Sequence, residues 1–372
     1  MKHVKFENLF QFQKKSKIKA GDGLKLFEGK YPFYTSSDTL TKSINEYLFD
    51  NESLIFGTGG QASIHYCNEK FAVSTDCFVT QSKKSEDVFL KYIYYYLSGN
   101  IYILENGFKG AGLKHISKDY LQNIQIPLPP LQQQQKIANI LDAADAVRQN
   151  DKALIAKYDE LTQALFLDMF GDPVSNPKGW DQLALKHFGK ISTGNTPSRS
   201  DDSNYSTRHI EWIKTDNIKE NYLYITQASE YLSEIGLSRA RTVEKDAILV
   251  ACIAGSIDSI GRAALTDRKV SFNQQINAIE SNSTVIPKYL YYLIRNCKKH
   301  IQNHASNGMK RMLTKGEFEK ILMILPPLEL QNQFAERVAV IEEQKAIAQK
   351  SLEQSESLFN SLLQKAFKGE LI

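Results

Sequence analysis

Two stretches of the chain carry apolar positions that alternate by four and three residues. In the first, Ile137, Leu141, Ala144, Arg148, Asp151, Ile155, Tyr158, Thr162, Leu165 and Met169 fall on one line. In the second, Phe334, Val338, Ile341, Lys345, Ala348, Leu352, Ser355, Phe359, Leu362 and Ala366 do the same, position for position. This spacing is a coiled-coil seam. Neither stretch contains Pro or Gly, and each follows a Pro-Pro pair that fixes where the helix begins. Helices of about 40 residues reach ~60 Å and do not stand alone, so they are predicted to pack on each other or on a partner. Antiparallel packing would set the preceding domains about a pseudo-twofold axis. Arg148 and Lys345 hold equivalent inner places; the plain expectation is a stem on the seam with the charge in water. Polar Asp151 and Ser355 leave a seam that partner subunits would complete.

Sliding the chain against itself by 197 positions exposes a tandem repeat. Lys91-Tyr92 falls on Lys288-Tyr289, Tyr94-Tyr95 on Tyr291-Tyr292, and Leu128-Pro129-Pro130-Leu131 on Leu325-Pro326-Pro327-Leu328. Lys114 meets Arg311, Gln134 meets Gln331, Leu165 meets Leu362 and Phe170 meets Phe367. Upstream the match fades. Each half opens with a region rich in Tyr, Gly, Ser and Asn whose short apolar runs, such as 53–56 and 247–251, read as strands. The Tyr92, Tyr94, Tyr95 and Tyr96 cluster reads as helix core in preference to a stacking surface. The predicted class is α+β: two α/β domains, 1–127 and 173–325, in pseudo-twofold arrangement, separated by two long antiparallel coiled-coil helices, 128–172 and 326–372.

Composition adds little until charge is divided along the chain. The 372 residues are 42% hydrophobic and 24% charged, with a net charge of +4. Residues 1–127 carry +3, 128–172 carry −3, 173–325 carry +6 and 326–372 carry −2. Basic domains between acidic helices suit a polyanion, because each phosphate contact releases counterions. No apolar run approaches the ~20 residues that span a bilayer, the first residues lack a signal-peptide core, and the chain reads as cytoplasmic. Cys67, Cys77, Cys252 and Cys297 are scattered, which indicates neither zinc nor disulfides.

Enzyme signatures are missing. Asn176-Pro177-Lys178-Gly179 is a turn and not the Pro-Pro-aromatic loop of an adenine methyltransferase. Gly57-Thr58-Gly59-Gly60 lacks the Gly-Lys-[Ser/Thr] of a phosphate loop and reads as a tight turn. Short carboxylate–lysine strings at Asp22 with Glu28-Gly29-Lys30, and at Glu343-Gln344-Lys345, are commonplace. His300 and His304 have no third ligand nearby, so no metal is expected.

Two variable domains, each followed by Leu-Pro-Pro-Leu and a Gln-bearing helix, resemble the specificity subunit of Type I restriction-modification systems. The stretches that carry the resemblance are Ile126–Ile137, Leu165–Pro173, Asn176-Pro177-Lys178-Gly179-Trp180, Ser192-Thr193-Gly194-Asn195-Thr196-Pro197-Ser198 and Trp212–Ile218. The first domain lacks the Thr-Gly-x-Thr-Pro-Ser run and offers Tyr31-Pro32-Phe33-Tyr34-Thr35-Ser36-Ser37 in its place. The resemblance implies a DNA-binding subunit without catalysis that reads a bipartite asymmetric site, one half per target recognition domain. It implies two methyltransferase subunits and restriction/translocase subunits as partners. S-adenosylmethionine, ATP and magnesium would belong to those partners, with no cofactor in this chain.

Candidate DNA contacts lie in glycine-flanked loops. Lys109, Lys114 and His115 in the first domain match Lys310 and Arg311 in the second; phosphate contact and plain surface charge both remain open. Thr196, Ser198 and Arg199 offer donors to phosphate or base edges. Asn273, Gln274 and Gln275 are of the types that pair with adenine, with turn capping as the alternative.

Overall fold

A computed structural model describes residues 2–83, 86–220, 222–306 and 311–371. The chain forms two compact units, residues 1–152 with 349–372, and residues 153–348. Each unit thus joins one domain to segments of both long helices.

In the first unit a four-stranded antiparallel sheet runs in the order Phe10–Phe12, Cys77–Ser82, Ser53–Gly57, Ile64–Cys67. A second sheet orders Leu24–Lys25, Lys42–Ile44, Tyr31–Tyr34 and Ala72–Val73, and its last pair is parallel. Ser53–Gly57 is buried at every position, as a central strand covered on both faces must be. Helix Leu90–Gly99 packs Tyr92, Ile93 and Leu97 into a core with Phe6, Phe10, Leu54 and Phe56.

The second unit repeats this plan. Its first sheet orders Gly189–Thr193, Ile276–Ser281, Ile248–Ala251 and Ala263–Leu265, all antiparallel. Its second sheet also has a parallel pair, Ile210–Ile213 beside Val270–Phe272. Helix Pro287–Asn296 buries Tyr289, Leu290, Tyr291, Tyr292, Leu293 and Ile294. The tyrosine clusters are helix core in both units.

The long helices span Leu131–Phe170 and Leu328–Lys368. Gly171 and Gly369, both at φ +78, close them in the left-handed conformation that glycine adopts without a Cβ penalty. A buried glutamine just after each Pro-Pro ties helix to domain. Gln134 Oε1 accepts from Phe89 N at 2.9 Å, and its Nε2 donates to the carbonyls of Asp87 (3.0 Å) and Pro129 (2.8 Å). Gln331 does the same with Ile286 N (2.9 Å), Thr284 O (3.2 Å) and Pro326 O (2.8 Å).

Within each unit the helix segments run antiparallel. In the first, Arg148 lies over the Phe359 ring at 4.4 Å and Lys152 pairs with Glu356 at 3.3 Å. In the second, Asp159 meets Lys345 at 2.9 Å and the rings of Phe166 and Phe334 are 5.6 Å apart. Ile137, Leu141, Phe334, Val338 and Phe359 are buried, while Ile155, Leu165, Ile341, Leu352 and Leu362 are half-buried. Two expectations for the seam need correction. Lys345 does not hold its charge in water: it is 2% exposed and its ammonium donates to Asp159. Asp151 and Ser355 are satisfied within the chain, by a 2.8 Å bond from the serine hydroxyl to the carboxylate.

Candidate nucleic-acid interface

In both domains the predicted residues gather on loops beside the end of the central strand. In the first domain, Lys109 and His115 exchange backbone hydrogen bonds of 3.0 Å, closing a hairpin over the Thr58-Gly59-Gly60 turn. Ile116 N donates to Thr58 O at 3.1 Å, as does His115 Nδ1. The His115 ring lies against Gly59, where a Cβ would come within 3.0 Å of it. Thr58 and Ser36 hydroxyls both donate to Asp76 O, at 2.9 and 2.6 Å, which links four loops into one cluster. Lys109, Lys114 and His115 are exposed, and Lys114 borders an open groove of about 630 Å³ with Asp38, Gly60 and Glu105.

The second domain has the equivalent arrangement. Arg311–Met312 pairs with Ile253–Ala254, and Leu313 N donates to Cys252 O at 2.8 Å, matching the bond from Ile116 to Thr58. Arg311 is exposed; Lys310 lies outside the described residues. Gln275 O accepts from Cys252 N (2.8 Å) and Ile253 N (3.1 Å), so this loop and the 273–275 turn abut. The Thr196 hydroxyl donates to Gln274 Oε1, which places Thr196, Gln274, Gln275 and Arg311 in one cluster. Gly194 makes that approach possible, because a Cβ there would collide with the carbonyls of Phe272 and Asn273.

Not every predicted contact faces outward. Asn273 is 5% exposed; its Oδ1 accepts from Gln275 N at 3.1 Å and its Nδ2 donates to Gln275 Oε1 at 2.9 Å. Its amide caps the turn. Ser198 bonds Ser200 at 2.8 Å. The Arg199 guanidinium lies 4.5 Å from the Tyr205 ring and 4.9 Å from Trp212, and bonds Glu230 at 2.5 Å. Lys214 shares that carboxylate; Lys214 and then Arg199 hold the Glu230 carboxyl below its ordinary range. The cluster offers hydroxyl, amide and guanidinium groups to phosphates or base edges.

Sequence reasoning passed over Arg239 and Arg241. Asn195 Nδ2 donates to Arg239 O at 2.7 Å, and its Oδ1 accepts from Arg241 N at 2.7 Å. Arg239 also bonds Asp201 at 2.6 Å and Asn204 at 2.9 Å, so this segment clamps the 193–204 loop. The only trace in the sequence is two arginines separated by Ala240, some forty positions downstream.

Residue pairing also reassigns Tyr31–Ser37. Tyr34 O accepts from Ser74 N at 2.9 Å, just as Ile213 O accepts from Asn273 N at 3.0 Å, and each strand enters a parallel pair. Tyr31–Ser37 is the counterpart of the strand and turn that begin at Ile210, and not of the Thr-Gly-x-Thr-Pro-Ser loop. No helix among the described residues is long and apolar enough to cross a membrane, and no group of three or more His, Cys, Asp or Glu among them is placed to hold a metal.

The chain is 24% identical to the Type I restriction enzyme MjaVIII specificity subunit of Methanocaldococcus jannaschii, across 92% of this chain and 87% of that protein. It is 30% identical to the HindI specificity subunit of Haemophilus influenzae over 44% of its length, a match that spans only 36% of that relative. The crystal structure of the S subunit from M. genitalium shares the fold with a TM-score of 0.66 at 15% identity, covering 98% of this chain and 95% of that one. The family described as the Type I restriction modification DNA specificity domain matches twice, over residues 1–157 and 177–356, once for each repeat that the two units embody. The chain belongs to the Type I restriction modification DNA specificity family.

Proposed function

We propose that this chain is the DNA sequence-specificity subunit of a Type I restriction-modification complex and leaves methyl transfer and cleavage to its partners. Residues 1–127 and 173–325 serve as target recognition domains, each reading one half of a bipartite asymmetric site in double-stranded DNA. Residues 128–172 and 326–372 serve as spacers. The observation that carries this reading is the recurrence of one loop cluster, with Lys114 and Arg311 at equivalent places, in two domains whose opening sequences diverge.

The long helices also keep apolar residues on the outside. Leu154, Leu161, Val340 and Ile347 are exposed in the second unit, and Val147 and Leu358 in the first. Exposed leucines and valines on helices suit docking of other helices. Two methyltransferase subunits are assigned to these faces, with restriction/translocase subunits joining the assembly; S-adenosylmethionine, ATP and magnesium would be bound by those partner subunits and not by this chain.

Genome-wide mapping of N6-methyladenine tests the proposal, in cells expressing the chain with its methyltransferase subunit and in cells lacking it. A bipartite motif with a fixed gap, present only with the chain, is the expected result. An unchanged methylation pattern from a complex shown to assemble would overturn it.

A further inference from the structure

The two domains align residue by residue where their first strands end. Phe12 lies opposite Thr80 and Thr193 opposite Asn277, and those partners are one repeat offset apart. The next residues agree: Gln13 N donates to Val79 O at 2.8 Å, and Gly194 N to Ile276 O at 3.1 Å. The segment after Phe12 is therefore the counterpart of the Gly194–Arg199 loop.

Their chemistry differs sharply. In the second domain the only cation of that loop is Arg199, which is turned onto Glu230. In the first domain the loop carries Lys14, Lys15, Lys17 and Lys19, all exposed. Residues 14–30 hold six lysines against Asp22 and Glu28, whereas 194–210 balance Arg199 and Arg208 with Asp201 and Asp202.

The lysine loop is also fixed in place. Ser16 is buried and its hydroxyl accepts from Ile18 N at 3.1 Å. Ile18 O accepts from Thr75 N at 2.7 Å, which ties the loop to the turn that holds Asp76 and thus to the cluster. Lys19 N donates to Asp22 Oδ2 at 2.8 Å. Exposure alternates from Lys15 to Lys19, with Ser16 buried and Ile18 half-buried between them, so Lys15, Lys17 and Lys19 are presented to solvent as alternate residues of one short segment. A row of ammonium groups on a fixed backbone is a device for neutralising a row of phosphates without reading sequence.

We propose that Lys14, Lys15, Lys17 and Lys19 clamp the DNA phosphate backbone beside the first domain's half-site, at the place where the second domain's equivalent loop offers neutral donors and acceptors such as Thr196 with Gln274. This rests on the DNA-binding reading above.

The test is the salt dependence of the full chain's affinity for a mixed-sequence duplex. Replacing the four lysines by Gln is expected to make the slope of log K against log salt shallower by about 3 to 4, at about 0.9 per lost phosphate contact. A four-Arg variant should keep the original slope, which separates charge from folding. Gln at four exposed lysines elsewhere, Lys70, Lys186, Lys245 and Lys320, should change the slope by less than about 1. An unchanged slope in the Lys14–Lys19 variant, or an equal loss in the control, overturns the clamp. A natural chain that binds duplex with no salt dependence overturns the DNA-binding reading itself, a distinguishable result.

Discussion

Lys345 Nζ donates to Asp159 Oδ1 at 2.9 Å, from a side chain only 3% exposed. Arg295 reaches the same oxygen at 3.2 Å, so two cations share one carboxylate between helix segments of the second unit. Removing that carboxylate leaves positive charge in a desolvated place. Asp159→Ala is expected to destabilise the second unit by about 3 kcal/mol. Lys152→Ala, which breaks the half-exposed pair with Glu356, should cost less than about 1 kcal/mol. Urea unfolding of both variants checks the order; equal losses would contradict it.

Gln134 and Gln331 each satisfy one backbone N–H and two carbonyls at full burial. Substitution by Leu keeps most of the volume and strands three polar groups. The expected cost is about 2–4 kcal/mol for either variant, because an orphaned buried group costs roughly 1–3 kcal/mol and some gain water. Thermal unfolding followed by circular dichroism would show it, and a near-neutral Gln331→Leu would mean that this glutamine does not tie helix to domain.

Glu230 holds Arg199 and Lys214 in ion pairs at the edge of the recognition loops. Glu230→Gln keeps the shape and releases both cations. Non-specific DNA affinity should rise, and the salt slope should steepen by about 1 to 2. Fluorescence anisotropy across a salt series measures both; a slope no steeper than that of the natural chain would mean that neither cation reaches a phosphate.

His65 is half-buried, and its Nε2 donates to Ser37 O at 2.8 Å. Burial lowers its pKa, and the bond to Ser37 only partly opposes that. The unfolded chain therefore binds the proton more tightly. Stability is full above the ordinary value of 6.5 and falls as pH drops from there toward the lowered folded value. Unfolding midpoints between pH 7 and about 5 should decline less in His65→Gln than in the natural chain, ahead of carboxylate titration near pH 4. Parallel profiles would rule this out.

The loop equivalences show how far sequence reading extends. Lys114 and Arg311 were matched by offset alone, and they sit at equivalent places because 58–59 and 252–253 receive them through the same bonds. Sequence alone sets Tyr31–Ser37 against the wrong loop, because the match at the fixed offset fades upstream and strand register is what relates the opening segments. Asn273 shows the limit for single side chains: its type suits adenine, yet its amide is spent on Gln275.

By itself the sequence determined the repeat, the long helices and their seam. Those follow from periodicity and from prolines and glycines, which act locally along the backbone. The family resemblance was legible too, through Leu-Pro-Pro-Leu runs that recur at one fixed offset and through Ser192–Ser198, which stands in the second domain alone. Which strand faces which, that Lys345 is buried, and that Lys14–Lys19 takes the place of Gly194–Arg199 were decided only in the tertiary structure. Burial and charge pairing depend on residues far apart in the chain, and a side chain's partners exist only once those segments meet.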